Sequence, residues 1–317
     1  MAAGITVEPI DQRLTFGARV HGLRRDMLRD PAMRARIDGL LTEHGFVLFP
    51  GLDDDVETQI ELSEIFGPLK THALPTVIND GARPELLEIN YVPGVGGTVD
   101  LDGRARGSYL PWHFDDAYYD VLNRGGVFRP VELPDEGGET GFIDRAAALE
   151  ALPTDVRKRI DGLNVVYRIN LDMTKQVFGR HPTMKVVLED AYSKAIMARS
   201  DELPRAIHPL VCAKPDNGQL MLNLSPWYAV EIEGMERDES DALLHYLSDH
   251  IQSSTRPLIH RWRIGEMGAW DNWRLLHSGI GGPADQIRRL QRTTFKGNYT
   301  AGRFEGDRRP TFELAAD

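Results

Sequence analysis

A single cysteine, Cys212, in 317 residues leaves no partner for an intrachain disulfide and too few thiolates for a cysteine-based zinc site or an iron–sulfur cluster on one chain. Metal chemistry, if the chain performs any, falls to His, Asp and Glu. Long hydrophobic runs are missing too. No stretch reaches the roughly 18 apolar residues of a membrane span, and the opening MAAGITVEPIDQR has neither the basic start nor the apolar centre of a signal peptide. The expectation is a soluble, cytoplasmic protein with no membrane partner. Positive charge is also short, 37 Lys and Arg against 48 Asp and Glu, and the resulting net charge of -11 repels phosphate backbones. No basic stripe interleaved with aromatics offsets it, so nucleic acid is not an expected partner. Several catalytic signatures are absent as well. There is no HExxH, His245 and His250 are five apart rather than four, and no GxSxG elbow occurs. The glycines of GVGG lack the strand–helix setting and acidic partner of a dinucleotide loop.

What is present is ordinary globular composition, 41% hydrophobic and 27% charged, enough to bury a sizeable core. Apolar residues at helical spacing within 27–44 stop at Gly45, and FVLFP then reads as a buried strand. DDDVETQIELSEIFG predicts a second helix with an acidic start. Asp144 is a plausible N-cap for an Ala- and Leu-rich helix interrupted near Pro153. ERDESDALLHYLSDHIQSS reads as one more amphipathic helix, while GGVFRPVEL, HRWRIGEMGAWDN and RRLQRTTFKGNYT are strand-like. Between 71 and 112 the helical period vanishes and Gly, Pro, Asn and Asp accumulate, which predicts a long functional loop. Helices cluster early and strands recur late without strict βαβ alternation, so the expected fold is mainly β with flanking helices around a double-stranded β-helix (jelly roll) core. It is expected to form one domain over 1–317, with lid or substrate loops at 71–112 and 165–205.

The chemistry concentrates in SYLPWHFDDAYYD. On an extended strand, residues two apart share a face, so His113 and Asp115 can reach one ion. A His and an Asp two apart also arise by chance, and a third ligand decides. His277, in GAWDNWRLLHSG, lies where a strand runs into a turn. Arg292 follows in a strand-like segment where a buried arginine needs an anionic partner. A His, a carboxylate and a distant His compose the facial triad that leaves iron positions open for a co-substrate and oxygen. Two other readings use the same residues: a non-catalytic jelly-roll binding protein, and a zinc-dependent hydrolase built on the same triad. The aromatics Trp112, Phe114, Tyr118 and Tyr119 are expected to wall the metal from water.

The ordered pattern WHFD, GGET, WDN, LHSG and RLQRTTF, with the earlier HGFVLFPGL and EIFGPL, resembles the taurine dioxygenase/TfdA family of iron(II)- and 2-oxoglutarate-dependent dioxygenases, over nearly the whole chain. The resemblance implies that His113, Asp115 and His277 bind Fe(2+) and that Arg292 pairs with the distal carboxylate of 2-oxoglutarate. Thr140 would contact the same co-substrate, with Arg288 at another recurrent position. It further implies substrate-binding roles for His72, Tyr109 and Asp116. The implied reaction hydroxylates an unactivated C–H bond of a small organic substrate, with O2 as oxidant and succinate and CO2 as co-products. The family also suggests a homo-oligomer, dimer or tetramer.

Overall fold

The computed structural model describes residues 4–71 and 83–307. Its centre is eight antiparallel strands: β1 (Leu86–Tyr91), β2 (Arg104–His113), β3 (Gly125–Glu132), β4 (Thr140–Asp144), β5 (Leu258–His260), β6 (Glu266–Asp271), β7 (Leu275–Pro283) and β8 (Arg288–Phe295). They pair in the order β6-β3-β8-β1 in a major sheet and β2-β7-β4-β5 in a minor sheet. Strands Phe46–Pro50, Ala18–His21 and Thr6–Pro9 extend the major sheet beyond β6 to seven strands. Thr98–Leu101 and Lys185–Leu188 extend the minor sheet beyond β2 to six. Because the eight strands alternate between sheets except at β4 and β5, the chain winds as a double-stranded β-helix, the architecture its sequence predicts.

Alternation along the strands decides what lies between the sheets. Phe128 and Leu290 of the major sheet meet Phe142, Leu258 and Leu275 of the minor sheet, with Trp262 and Trp270 filling the same layer. The opposite face of the major sheet carries Val127, Met267 and Phe295, covered by Ile37, Leu40 and Leu41 of the helix Pro31–His44 and Leu62 of the helix Val56–Ser63. The first of these helices starts where Asp30 accepts from the Ala32 N–H at 3.0 Å, with Pro31 in its first turn, and ends at Gly45, whose φ of 68° suits a residue without a Cβ. The outer face of the minor sheet carries Ile143 and Leu276, joined by Phe114 just past the end of β2. These pack with Leu243, Leu244, Leu247 and Ile251 of the helix Arg237–Ser254. The excursion between β4 and β5 thus caps one whole side of the fold. Among the described residues, no helix is long and apolar enough to cross a membrane.

The two segments expected to be loops are largely regular. The described part of 71–112 holds β1, the strand Thr98–Leu101 and most of β2. The helical period disappears there because the region is sheet. The two-residue alternation that would have revealed it is broken by Ser108, at a φ of 58°, and by a register shift opposite His277–Gly279. Residues 165–205 include most of the strand Asn164–Tyr167, the strand Lys185–Leu188 and the helix Ala191–Met197.

His208 ties the excursion to the segment after β2. It is fully buried, and its Nε2 donates to the Tyr119 carbonyl at 2.8 Å. Burial depresses its pKa from 6.5 to about 4, and the Arg145 charge works the same way against the backbone contacts to Tyr119 and Ala117. Between those two values the unfolded chain binds the proton that the folded chain refuses. Stability therefore falls as pH drops from about 6.5 toward 4, by about 3 kcal/mol from this residue alone. In urea titrations at pH 7 and pH 4.5, His208→Gln, which keeps a donor and cannot titrate, is expected to lose less stability than the wild type. Equal losses would remove His208 from the acid response.

Candidate active site

β2 and β7 run side by side, with His113 directly opposite His277. Both imidazoles are buried, their ring centroids 4.2 Å apart. Each points Nε2 at Asp115 Oδ1, from 3.6 Å for His113 and 3.7 Å for His277. One ligand atom from each of the three residues lies within 4.8 Å of the others, and among the described residues no other group of three His, Cys, Asp or Glu does so. His113 Nδ1 lies 2.6 Å from the Pro111 carbonyl. Donating there places the ring proton on Nδ1 and leaves the Nε2 lone pair facing Asp115, the tautomer a metal ligand needs. Burial, and then the charge of His113, hold His277 well below the usual imidazole range, so it stays neutral. For Asp115 burial works upward, but Arg292, His277 and His113 outweigh it and keep the carboxyl well below its usual range. Two imidazoles and one ionised carboxylate on one side of a common point fit a divalent first-row metal with open positions.

The structure separates the two arginines expected to hold the co-substrate. Arg288 and Arg292 alternate onto the same face of β8, four residues or about 13 Å apart. Arg292 donates Nη2 to Asp115 Oδ2 at 2.5 Å and Nε to Thr294 Oγ1 at 3.1 Å, with its guanidinium 4.9 Å from the Trp270 ring centroid. It therefore sits beside the three candidate ligands. Arg288 is the guanidinium beside Thr140. Its Nη2 lies 3.5 Å from Thr140 Oγ1, which also accepts from Trp262 Nε1 at 2.9 Å, and its Nε donates to the Gly138 carbonyl at 2.9 Å. Burial pushes the Arg288 pKa down to about 10, partly offset by Glu139, and among the described residues no carboxylate lies in ion-pair contact with it. A buried cation beside a hydroxyl is stabilised by an anionic partner.

The expected substrate residues scatter. His72 lies outside the described residues. Tyr109 is carried by the register shift in β2 to the same side as Ile280, and with Ile280 and Trp112 it lines a groove of about 760 Å³ that none of the three metal-facing residues borders. Asp116 has a φ of 60°, and its carboxylate accepts from Lys70 Nζ at 2.9 Å. Its charge is thereby neutralised locally. Of the four aromatics expected to wall the metal, Tyr118 packs edge-on against Tyr228 at 5.1 Å, whereas Phe114 is fully buried beneath the Arg145 guanidinium at 4.4 Å. Trp112 lies across Gly141, where an added Cβ would come within 2.5 Å of the indole.

The rings that do stand over His113 are Trp227 and Tyr228, at 5.0 and 5.8 Å, stacked on each other at 4.8 Å. Tyr192, on the helix Ala191–Met197, is near enough for its phenol to feel Asp116 and Arg292, and burial raises its pKa. Burial likewise raises Tyr118 and Tyr228 well above the phenol range, so all three remain neutral donors. Sequence reading passed over Trp227, Tyr228, Tyr192, Lys70 and Trp262. The aromatic pair in SPWY was the available signal, but it stands more than a hundred residues from the His-x-Asp pair.

With this geometry in view, the comparisons with known proteins agree on one family. Residues 6–294 match the model of the taurine catabolism dioxygenase TauD, TfdA family. The (S)-phenoxypropionate/alpha-ketoglutarate-dioxygenase of Sphingobium herbicidovorans is 30% identical over 279 residues, covering 87% of this chain and 90% of that protein. The alpha-ketoglutarate-dependent 2,4-dichlorophenoxyacetate dioxygenase of Cupriavidus pinatubonensis is 28% identical over 269 residues, 81% of this chain and 86% of its own. The crystal structure of a taurine dioxygenase from Burkholderia xenovorans superposes with a TM-score of 0.68 at 24% identity, over 96% of this chain and 94% of that one, and it shares the fold. A family match across nearly the whole chain, on a jelly roll whose minor sheet brings His113, Asp115 and His277 together, establishes that this protein belongs to the TauD, TfdA family of dioxygenases.

Proposed function

We propose that the protein is an iron(II)- and 2-oxoglutarate-dependent dioxygenase that hydroxylates an unactivated C–H bond of a small organic acid with an aromatic or apolar body. The observation that carries this reading is the pairing of a His113–Asp115–His277 donor set with a buried Arg288 beside Thr140, on the same face of β8 as the Arg292 that meets Asp115. Bound iron(II) supplies the oxidative chemistry, in which 2-oxoglutarate and O2 become succinate and CO2 while one oxygen atom enters the substrate. The protein's own groups bind and orient. Arg288 and the Thr140 hydroxyl take the far carboxylate of 2-oxoglutarate, directing its 2-oxo acid end toward the metal ligands. Arg292, at the metal end, meets the anionic group of the substrate or the near end of the co-substrate. Trp227, Tyr228 and Tyr118 exclude water and flank the substrate body.

An anaerobic titration with Fe(II) and then 2-oxoglutarate tests the reading. A metal-to-ligand charge-transfer band that needs both additions is the expected result. Metal binding without the band would favour a hydrolase on the same triad, and no metal binding a carrier protein.

The Lys70–Asp116 pair removes the obstacle that a free carboxylate after Asp115 would set against an anionic substrate. The aromatic wall favours bulk, since desolvating one ring contributes about 1.5–3 kcal/mol. In a panel scored by substrate-dependent succinate release, aryloxyalkanoates are expected to exceed taurine in kcat/KM by about tenfold or more. Taurine ranking first would reverse this assignment.

A further inference from the structure

β2 stops at His113, which leaves the peptide groups of Phe114 and Asp115 without ladder neighbours. Buried peptide groups need partners, and here side chains supply them. The Phe114 N–H donates to Ser225 Oγ at 3.1 Å. The Asp115 N–H donates to Asn272 Oδ1 at 2.8 Å, and the Asp115 carbonyl accepts from Asn272 Nδ2 at 3.1 Å. One carboxamide thus gives Asp115 both bonds that a neighbouring strand would have made. Asn272 is itself immobilised. It is fully buried, its Nδ2 also donates to Asn123 Oδ1 at 2.9 Å, its N–H donates to the Arg124 carbonyl at 2.8 Å, and its carbonyl accepts from Arg145 Nη2 at 3.2 Å. It sits in the turn between β6 and β7, five residues before His277.

We infer that Asn272 is a positioning residue that fixes the Asp115 carboxylate against His277 and thereby sets the affinity of the site for its metal. The inference rests on the metal reading above. Only a side chain with a donor and an acceptor at this reach serves. Aspartate would lose the donor and face two carbonyl oxygens, serine is too short, and leucine keeps the volume while losing both bonds. Without the clamp the Asp115 peptide keeps its sequence neighbours but not its register, and the carboxylate must be ordered each time a metal binds. Groups that hold a ligand in place typically account for about 10–100-fold in metal affinity.

The test measures Mn(II) binding to the metal-free full-length protein, by electron paramagnetic resonance well below the melting temperature, alongside the melting temperature itself. Asn272→Ala is expected to weaken Mn(II) by about 10–100-fold. Leu247→Ala, in the core of the helix Arg237–Ser254, should lower the melting temperature yet leave Mn(II) affinity at the wild-type value. If Asn272→Ala does not fold, Asn123→Ala takes its place, because it removes one anchor of the Asn272 amide and leaves both bonds to Asp115; a severalfold weaker affinity is expected. Wild-type affinity in Asn272→Ala, or in Asn123→Ala where that variant stands in, overturns the inference. So does an equal loss of affinity in Leu247→Ala, since general destabilisation would then account for the effect. A wild-type protein that binds no Mn(II) overturns the metal reading first and this inference with it.

Discussion

His277→Ala and Asp115→Ala are each expected to reduce 2-oxoglutarate-dependent succinate formation to the background of the metal-free protein, while leaving far-UV circular dichroism unchanged. Each removes one of the three donors that, among the described residues, share a common point. The jelly-roll core is built from Phe128, Phe142, Trp262 and Trp270, none of them a donor, and it meets the site where Trp270 lies 5.5 Å from the His277 ring. The two variants differ in a second observable. Removing the Asp115 carboxylate strands Arg292, which pairs with it at 2.5 Å in a mostly buried setting, so Asp115→Ala should also lose stability. An uncompensated buried charge costs about 3–5 kcal/mol, less to the extent that Arg292 swings toward water. His277→Ala carries no such penalty, because its imidazole is neutral. Succinate production near the wild-type rate by either variant, with Fe(II) supplied, would refute the triad.

The second large effect is expected at Arg288. Lysine retains the charge but not the planar fork, and the site already engages Arg288 Nε with the Gly138 carbonyl, leaving the outer nitrogens for a carboxylate. Arg288→Lys should raise the KM for 2-oxoglutarate by about 10–100-fold, the equivalent of one charge-assisted hydrogen bond at about 1.5–3 kcal/mol. The same exchange at Arg292 should act mainly on the KM for the organic substrate and on coupling between succinate release and substrate oxidation. Initial-rate kinetics with each reactant varied in turn separate the two. A larger 2-oxoglutarate effect from Arg292→Lys than from Arg288→Lys would return the clamp to Arg292.

The different fates of these two arginines mark how far the sequence carries. A two-residue alternation is legible on paper, so His113 with Asp115 stood out, and the late clustering of strands indicated the jelly roll. The order of motifs brought in His277, Thr140 and both arginines through family resemblance. What spacing cannot convey is which of two guanidiniums, four residues apart on one face of a strand, meets Thr140 on another strand. That depends on the stagger between β4 and β8. The register shift in β2 likewise turned Tyr109 toward Ile280, and a one-residue slip of this kind reverses every side chain beyond it. Lys70 and Asp116 are 46 residues apart, and nothing local in either segment announces their ion pair. Trp227 and Tyr228 were invisible for the same reason: they reach His113 only because the β4–β5 excursion folds back over the minor sheet.

That excursion divides the molecule's labour in a way that bears on its capacity to change. His113, Asp115, His277, Thr140 and Arg288 hang from β2, β4, β7 and β8 and the short segment after β2, whereas Tyr192, Trp227 and Tyr228 are all supplied by residues between Asp144 and Leu258. Under the proposed function, mutations in the excursion would alter the residues flanking the substrate while the proposed metal ligands keep their supports, so new specificities would be reachable by small steps that each preserve a working catalyst. For directed evolution this localises the useful library: randomising 192 together with 227 and 228 should yield many variants that still consume 2-oxoglutarate and differ in what they oxidise, whereas equal effort spent on the sheet strands should yield mostly inactive protein.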